Sequence, residues 1–374
     1  MEAQSRNTQS LFAGYRLNGL ELPNRVVMAP MTRSFSPGGV PGSEVAAYYR
    51  RRAAGGVGLI ITEGTGIARP AALDDPGAPR LHGQLALDGW KKVIDEVHAA
   101  GGRIAPQLWH VGQKRSRANT NTPSAADYES PSGLSASGEQ VARPMTGADV
   151  SATVDAFAEA AFTAEKLGFD GVELHGANGY LIDQFFSPEL NKRSDAYGGE
   201  SLIERSRFAI DVLSAVRTAV SSRFPVILRI SLMRANGQGT RLVSNPKELE
   251  EWLKLLVQAG ANAFHIAQAR FSEPAFPRFD ARLSLAGWVK RLAGVTSIAV
   301  GSVGLDKDVY ASFAGEIAKA APIDALAARL AADEFDLVAI GRALLQDPMW
   351  LEKVRLDQAR PMEDFHPSAL SRLY

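Results

Sequence analysis

Eight short β-branched runs, each followed by a stretch of helical periodicity, constrain this chain more than any other feature. In order they are "VVMAP" (26–30), "LIITEG" (59–64), "RIAPQLW" (103–109), "GVELHG" (171–176), "VILRIS" (226–231), "FHIAQA" (264–269), "SIAVGS" (297–302) and "LVAIGR" (337–342). Runs this apolar on both faces belong in a parallel sheet covered by helices. Between them, "SEVAAYYRRRAAG" (43–55), "LDGWKKVIDEVHAAG" (87–101), "DVSATVDAFAEAAFTAEKLG" (149–168) and "NPKELEEWLKLLVQAG" (245–260) read as helices, each ending on the glycine that suits a left-handed closing residue. Eight strand–helix units predict an α/β fold, a (β/α)8 TIM barrel, as one domain over residues 1–374. An open doubly wound sheet is the alternative, but no GxGxxG opens the first unit. Two long loops follow strands three (112–148) and six (270–284). Both leave the C-terminal ends of strands, where barrel enzymes place their chemistry, and are expected to cap the barrel mouth.

Composition removes several kinds of chemistry. No cysteine occurs in 374 residues, which excludes disulfides, a catalytic thiol, thiolate zinc sites and cysteine-held iron–sulfur clusters. The 41 basic and 41 acidic residues balance, so nothing electrostatic points to nucleic acid or to a membrane surface. The opening residues have no apolar h-region and no later run is long enough to cross a bilayer, so the expected location is cytoplasmic.

In a barrel, the residues closing each strand converge on one mouth. The first strand leads into Pro30, Met31 and Thr32, and the second into Gly64. The third brings Gln107 and Trp109, the fourth His175, Asn178 and Tyr180, the fifth Arg229. The seventh and eighth end in Gly301-Ser302 and Gly341-Arg342. Glycines at those two ends let backbone N–H groups approach a phosphate, and Arg342 adds charge; alternatively they only permit tight turns. The mouth lacks clustered carboxylates, an HxH on the first strand and a strand-end lysine, so a metal centre and Schiff-base chemistry are poor fits and no metal is expected. A phosphate site, an amide, a hydroxyl and a buried arginine suit a flat heterocycle with several polar edges, such as flavin mononucleotide (FMN). Arg229 needs a buried anionic partner under any reading.

The motifs "NRVVMAPMTR" (24–33), "LIITEGT" (59–65), "PQLWHVGQ" (106–113), "ELHGANGYLIDQFF" (173–186), "NKRSDAYGG" (191–199) and "AIGRALLQDP" (339–348) together resemble the old yellow enzyme family of FMN-dependent ene-reductases. The resemblance implies FMN held by Pro30, Met31, Thr32, Gly64, Gln107 and Arg229, with its phosphate at Gly301, Ser302, Gly341 and Arg342. NADPH or NADH is the implied electron donor. It also implies that His175 and Asn178 grip the activating oxygen of an alkene conjugated to a carbonyl or nitro group, that hydride reaches the β-carbon, and that Tyr180 protonates the α-carbon. Trp109 and Phe271 are expected to bind substrate, although each could serve only packing. Arg115, Arg117 and Arg270 are candidates to meet a 2′-phosphate or simply to be solvated. The tail "DFHPSALSRLY" departs from the family pattern, which leaves open any substrate contact from it. Two other functions compete: an FMN barrel oxidase or dehydrogenase of a small substrate, and a non-redox barrel that binds a phosphorylated ligand. A homodimer is one assembly left open.

Overall fold

The computed structural model describes residues 8–114, 128–232, 241–356 and 362–374. Eight parallel strands close on one another in chain order: β1 (Val26–Met28), β2 (Leu59–Gly66), β3 (Ile104–Trp109), β4 (Val172–Gly176), β5 (Val226–Ile230), β6 (Ala263–Ile266), β7 (Thr296–Val300) and β8 (Leu337–Ile340). The last pairs with the first, Ala339 opposite Val27, which closes the predicted barrel. Each expected strand is present. Most end one to three residues earlier than the apolar runs suggest, because the terminal residues turn into the mouth.

Parity along each strand divides the core in two. Val26, Ile60, Ile104, Val172, Leu228, Phe264 and Val338 face outward into one large cluster shared with the helices. Val27, Leu59, Ile61, Ala105, Ile227, Ala263, Ile298 and Leu337 face inward and form a separate interior cluster. A short antiparallel hairpin, Tyr15–Leu17 with Leu20–Leu22, plugs the base by packing Leu17 and Leu22 onto that interior set. This alternation follows from the two-residue repeat of a strand, and it decides which polar residues enter the barrel.

The helices begin and end where their sequences dictate. Gly147–Leu167 starts with a reciprocal capping box between Thr146 and Asp149 and closes on Gly168 at φ 101°. Pro246–Gln258 follows the side-chain cap of Asn245, with Pro at its first position. The expected long loop after β6 lies at the C-terminal face, where Glu273, Pro274 and Ala275 line its cavity, and the segments after β3 and β7 add further cover. The described part of the loop after β3 pairs Glu129–Ser130 with Arg143–Pro144. The connection after β7 carries an extra short helix, Val309–Phe313. The chain's tail returns to the same face, where Phe365 exchanges two backbone hydrogen bonds with Ala318 (2.8 and 3.1 Å).

Candidate active site

A cavity of about 650 Å3 opens at the C-terminal mouth. It falls within the usual range of roughly 300–1,000 Å3 for cofactor and ligand sites. Its walls bring together Pro30, Met31, Thr32, Gln107, His175, Asn178, Tyr180, Arg229 and Arg342, nine of the residues expected from sequence. They come from β1, β3, β4, β5 and β8, and only barrel closure makes them neighbours.

Strand parity places the deepest of them. Ala105 and Ile227 face inward, so Gln107 and Arg229, two residues on, do as well. Val172 and Leu174 face outward, which turns Glu173 and His175 in. By the same rule His265 follows Ala263. Glu173 and His265 are completely buried and were not anticipated, although the alternation within "VELHG" and "AFHI" contains the signal. Glu173 accepts from the Gln107 amide (Nε2 to Oε1, 2.7 Å) and from His265 Nδ1 at its other oxygen (2.7 Å). It is also the nearby negative charge that supports the Arg229 guanidinium, whose pKa burial pulls down. Glu173, on the neighbouring strand and turned to the same inward face, supplies negative charge that offsets the burial of Arg229. Arg229 Nε is buried with no hydrogen-bond partner, a donor left for a ligand.

His175, the penultimate residue of β4, stands opposite Arg229 in the strand register. Burial first, then the positive charges of Arg229 and Lys114, holds its pKa well below the usual histidine value, so the ring is neutral. Its Nδ1 is buried without a partner. Asn178 adopts the left-handed region (φ 62°), which asparagine tolerates, and Gly179 follows at φ 78°. That turn lifts the two side chains onto one wall. Lys114 Nζ donates to the Asn178 carbonyl (2.5 Å) and lies 4.4 Å from the Tyr180 ring centroid. The Tyr180 ring meets His175 edge-on at 4.7 Å and Trp109 at 5.0 Å. Burial pushes its phenol up to about 12.

The remaining expected residues have supporting positions. Trp109 backs Tyr180 rather than lining the cavity, in a small cluster with Ala78, Val111 and Tyr128. Its indole lies against Gly64, where a Cβ would come within 2.5 Å of it. Gly64 sits at a register shift between β2 and β3 that sets it opposite Gln107. Phe271 packs on the outer core and does not line the cavity, and Phe276 packs on Trp288 beside the exposed Phe279. Gly301 (φ 121°) lets β7 approach the sixth loop, where a Cβ would be 2.8 Å from Ala269 and Arg270 backbone atoms. Ser302 Oγ donates to the Ala269 and Lys307 carbonyls. A Cβ on Gly341 would lie 3.4 Å from the Met31 sulfur, so this backbone borders the Met31 wall. Arg342 donates to the carbonyls of Lys307 (2.6 Å) and Asp308 (2.8 Å) and to Ser312 Oγ (2.6 Å), which fixes its guanidinium at the cavity edge. Arg270 donates to the Asp306 carbonyl (3.1 Å). Arg115 and Arg117 lie outside the described residues.

The tail supplies two further lining residues, Phe365 and Leu370, that sequence reasoning did not place. Arg33 draws the tail in by donating to the carbonyls of Ala369, Leu370 and Arg372. Among the described residues no group of three His, Asp or Glu is arranged to hold a metal ion, and no helix is long and apolar enough to cross a membrane.

The family model for "NADH:flavin oxidoreductase / NADH oxidase" matches residues 10–361. The chain belongs to this family. It is the old yellow enzyme family that the motifs resemble, and its cofactor is FMN. Relatives within it include flavin oxidoreductase hxnT of Emericella nidulans, 35% identical over 363 residues, covering 91% of this chain and 89% of that protein. The 12-oxophytodienoate reductase 7 of Oryza sativa subsp. japonica is 40% identical over 241 residues, 61% of this chain and 60% of that protein. Several of the rice relatives are matched over only about three-fifths of their length. The structure of morphinone reductase in complex with tetrahydroNAD superposes with a TM-score of 0.77 at 30% identity, covering 96% of this chain and 93% of that one. The site accommodates the family's cofactor: an unpartnered buried guanidinium donor, an oriented amide and a fixed arginine at the far edge line one cavity.

Proposed function

We propose that the chain is an FMN-containing, NAD(P)H-dependent ene-reductase acting on alkenes conjugated to a carbonyl or nitro group. When bound and reduced, FMN supplies hydride from N5 to the β-carbon of the alkene. The reading rests on one observation above all: neutral His175, Asn178 and a protonated Tyr180 share a wall of the cavity that Gln107 and Arg229 floor.

Each residue then has a task set by its chemistry. Gln107 and Arg229 hold the pyrimidine edge of the flavin, and the fixed cation favours negative charge there; hydrogen bonds to charged groups contribute about 1.5–3 kcal/mol. Pro30, Met31, Thr32 and Gly64 lie along the ring, and Arg342 with the Gly301-Ser302 and Gly341 backbones meets the phosphate. His175 and Asn178 donate to the activating oxygen of the alkene as it gains charge, an oxyanion site in which each donor is worth about 2.7–4 kcal/mol. Tyr180 delivers its phenolic proton to the α-carbon and is restored from solvent. A nicotinamide occupies the same pocket before the alkene does, in keeping with the tetrahydroNAD held by morphinone reductase.

The test is anaerobic stopped flow of the FMN-loaded protein. NADH or NADPH should bleach the flavin absorbance, and a cyclic enone or nitroalkene should restore it. Bleaching with no restoration by any activated alkene, or a purified protein unable to take up FMN, would defeat the reading.

A further inference from the structure

The placement of the flavin over Gln107 and Arg229 leaves one buried group without a role. Glu173 has no exposed surface, lies below the cavity rather than on its lining, and engages both carboxylate oxygens across the barrel interior. We propose that Glu173 is a positioning residue that orients the Gln107 amide toward the flavin and offsets the Arg229 charge beneath it, so that it sets both FMN affinity and flavin redox potential. The inference rests on the flavin placement argued above.

The orienting effect follows from donor and acceptor chemistry. An ionised carboxylate can only accept. Facing Glu173 Oε1 at 2.7 Å, Gln107 must present its NH2 group downward, which leaves its carbonyl oxygen for the cavity that it lines. The pyrimidine edge of a flavin carries an N–H between two carbonyls. An amide oxygen accepts from that N–H, whereas an NH2 group would oppose it. Glu173 itself cannot swing away, because its second oxygen accepts from His265 Nδ1 on β6, across the barrel from Gln107 on β3. That bond also fixes the histidine: with Nδ1 carrying the proton and burial keeping the ring neutral, Nε2 remains as an unpartnered acceptor. The three side chains form one rigid chain, His265 to Glu173 to Gln107.

The charge effect has a definite sign. Arg229 is the cation nearest the ring's electron-accepting end in the proposed placement, and Glu173 is the anion that balances it. Glu173 and Arg229 stand on adjacent strands, β4 and β5, both turned into the dry interior, where opposite charges interact more strongly than in water. Neutralising Glu173 leaves Arg229 uncompensated, which stabilises the anionic reduced flavin and raises the potential. A residue that only packed the barrel would not move the potential in a set direction.

The experiment prepares apoprotein of the wild type and of Glu173→Gln, Glu173→Asp and Gln107→Leu, titrates each with FMN by fluorescence quenching, and measures midpoint potentials of the FMN-loaded forms. Gln107→Leu should weaken FMN binding at least fivefold; no change there would remove the flavin placement itself. With that effect in hand, Glu173→Gln should weaken FMN binding to a similar degree, because a neutral amide can face Gln107 in either sense. It should also raise the ratio of reduced to oxidised flavin about tenfold at fixed potential, roughly 30 mV for a two-electron couple. Glu173→Asp keeps the charge but loses reach to one partner, so its FMN affinity should fall while its potential stays near the wild-type value. If Glu173→Gln does not accumulate as folded protein, the Asp variant decides alone. FMN affinity and potential both unchanged in Glu173→Gln, or undiminished affinity in Glu173→Asp, would overturn the proposal.

Discussion

Tyr180 has its phenol pushed up to about 12 by burial, which makes it a weaker acid than an ordinary tyrosine but one that stays protonated through the whole working range. The expected consequence is an alkaline side of the flavin reoxidation profile that stays flat up to the neighbourhood of that value, checked by single-turnover rates with an enone from pH 6 to pH 10. Tyr180→Phe should leave bleaching by NAD(P)H nearly intact and slow reoxidation by a factor of roughly 100, the lower part of the range for general acid catalysis. Equal losses in both half-reactions would take the proton-donor role from it. His175, held neutral by burial and by Arg229, offers an N–H without a net charge. Replacing it or Asn178 by Ala should weaken binding of a phenolate that mimics the charged oxygen, by roughly 100-fold for a donor worth about 2.7 kcal/mol. At this scale the sequence was informative for residues that end strands, since their identity and place in the motif both carry meaning. It was less so for Glu173 and His265, because a polar residue inside an apolar run declares its function only once the inward parity and the partner strands are known.

Single elements show where local sequence had to bend. The register shift in β2 brings Gly64 against the Trp109 indole, so Gly64→Ala inserts a methyl group 2.5 Å from that ring. Overpacking of this kind costs about 1–3 kcal/mol, and thermal melting should show it together with slower enone reduction, since Trp109 backs Tyr180. The turn after β1 depends on Glu63, whose carboxylate accepts the Arg33 and Ser34 amides at 2.7 and 2.9 Å. Burial dominates those bonds and raises its pKa from 4.5 to about 7. The folded state therefore keeps a proton that the unfolded chain has already released. Glu63 penalises stability progressively as pH rises from the unfolded value to the folded one, by roughly 3 kcal/mol at most. Denaturant titrations from pH 4.5 to pH 8 should show this decline, and Glu63→Gln should flatten it. Nothing in "LIITEG" announced the effect, because it arises from burial under the turn that carries Arg33.

The whole barrel was legible because periodicity and length survive without tertiary knowledge: eight strands and their helices fall close to where the apolar runs place them. The tail was not, since a departure from a family pattern says nothing about where a segment lands. Here Arg33 holds it through three carbonyls, and Phe365 and Leu370 complete the cavity wall. Arg33→Ala should speed FMN dissociation roughly tenfold, the equivalent of about 1.4 kcal/mol, measured by fluorescence recovery on dilution. The hydrogen bonding of β8 to β1 has a further consequence. Pro30 and Arg342 stand more than three hundred positions apart along the polypeptide, yet both border the same cavity. Such distant pairings form late and slowly, so during refolding the quenching of added FMN should lag behind recovery of helical circular dichroism, making the yellow cofactor an optical signal that the two ends of the barrel have met.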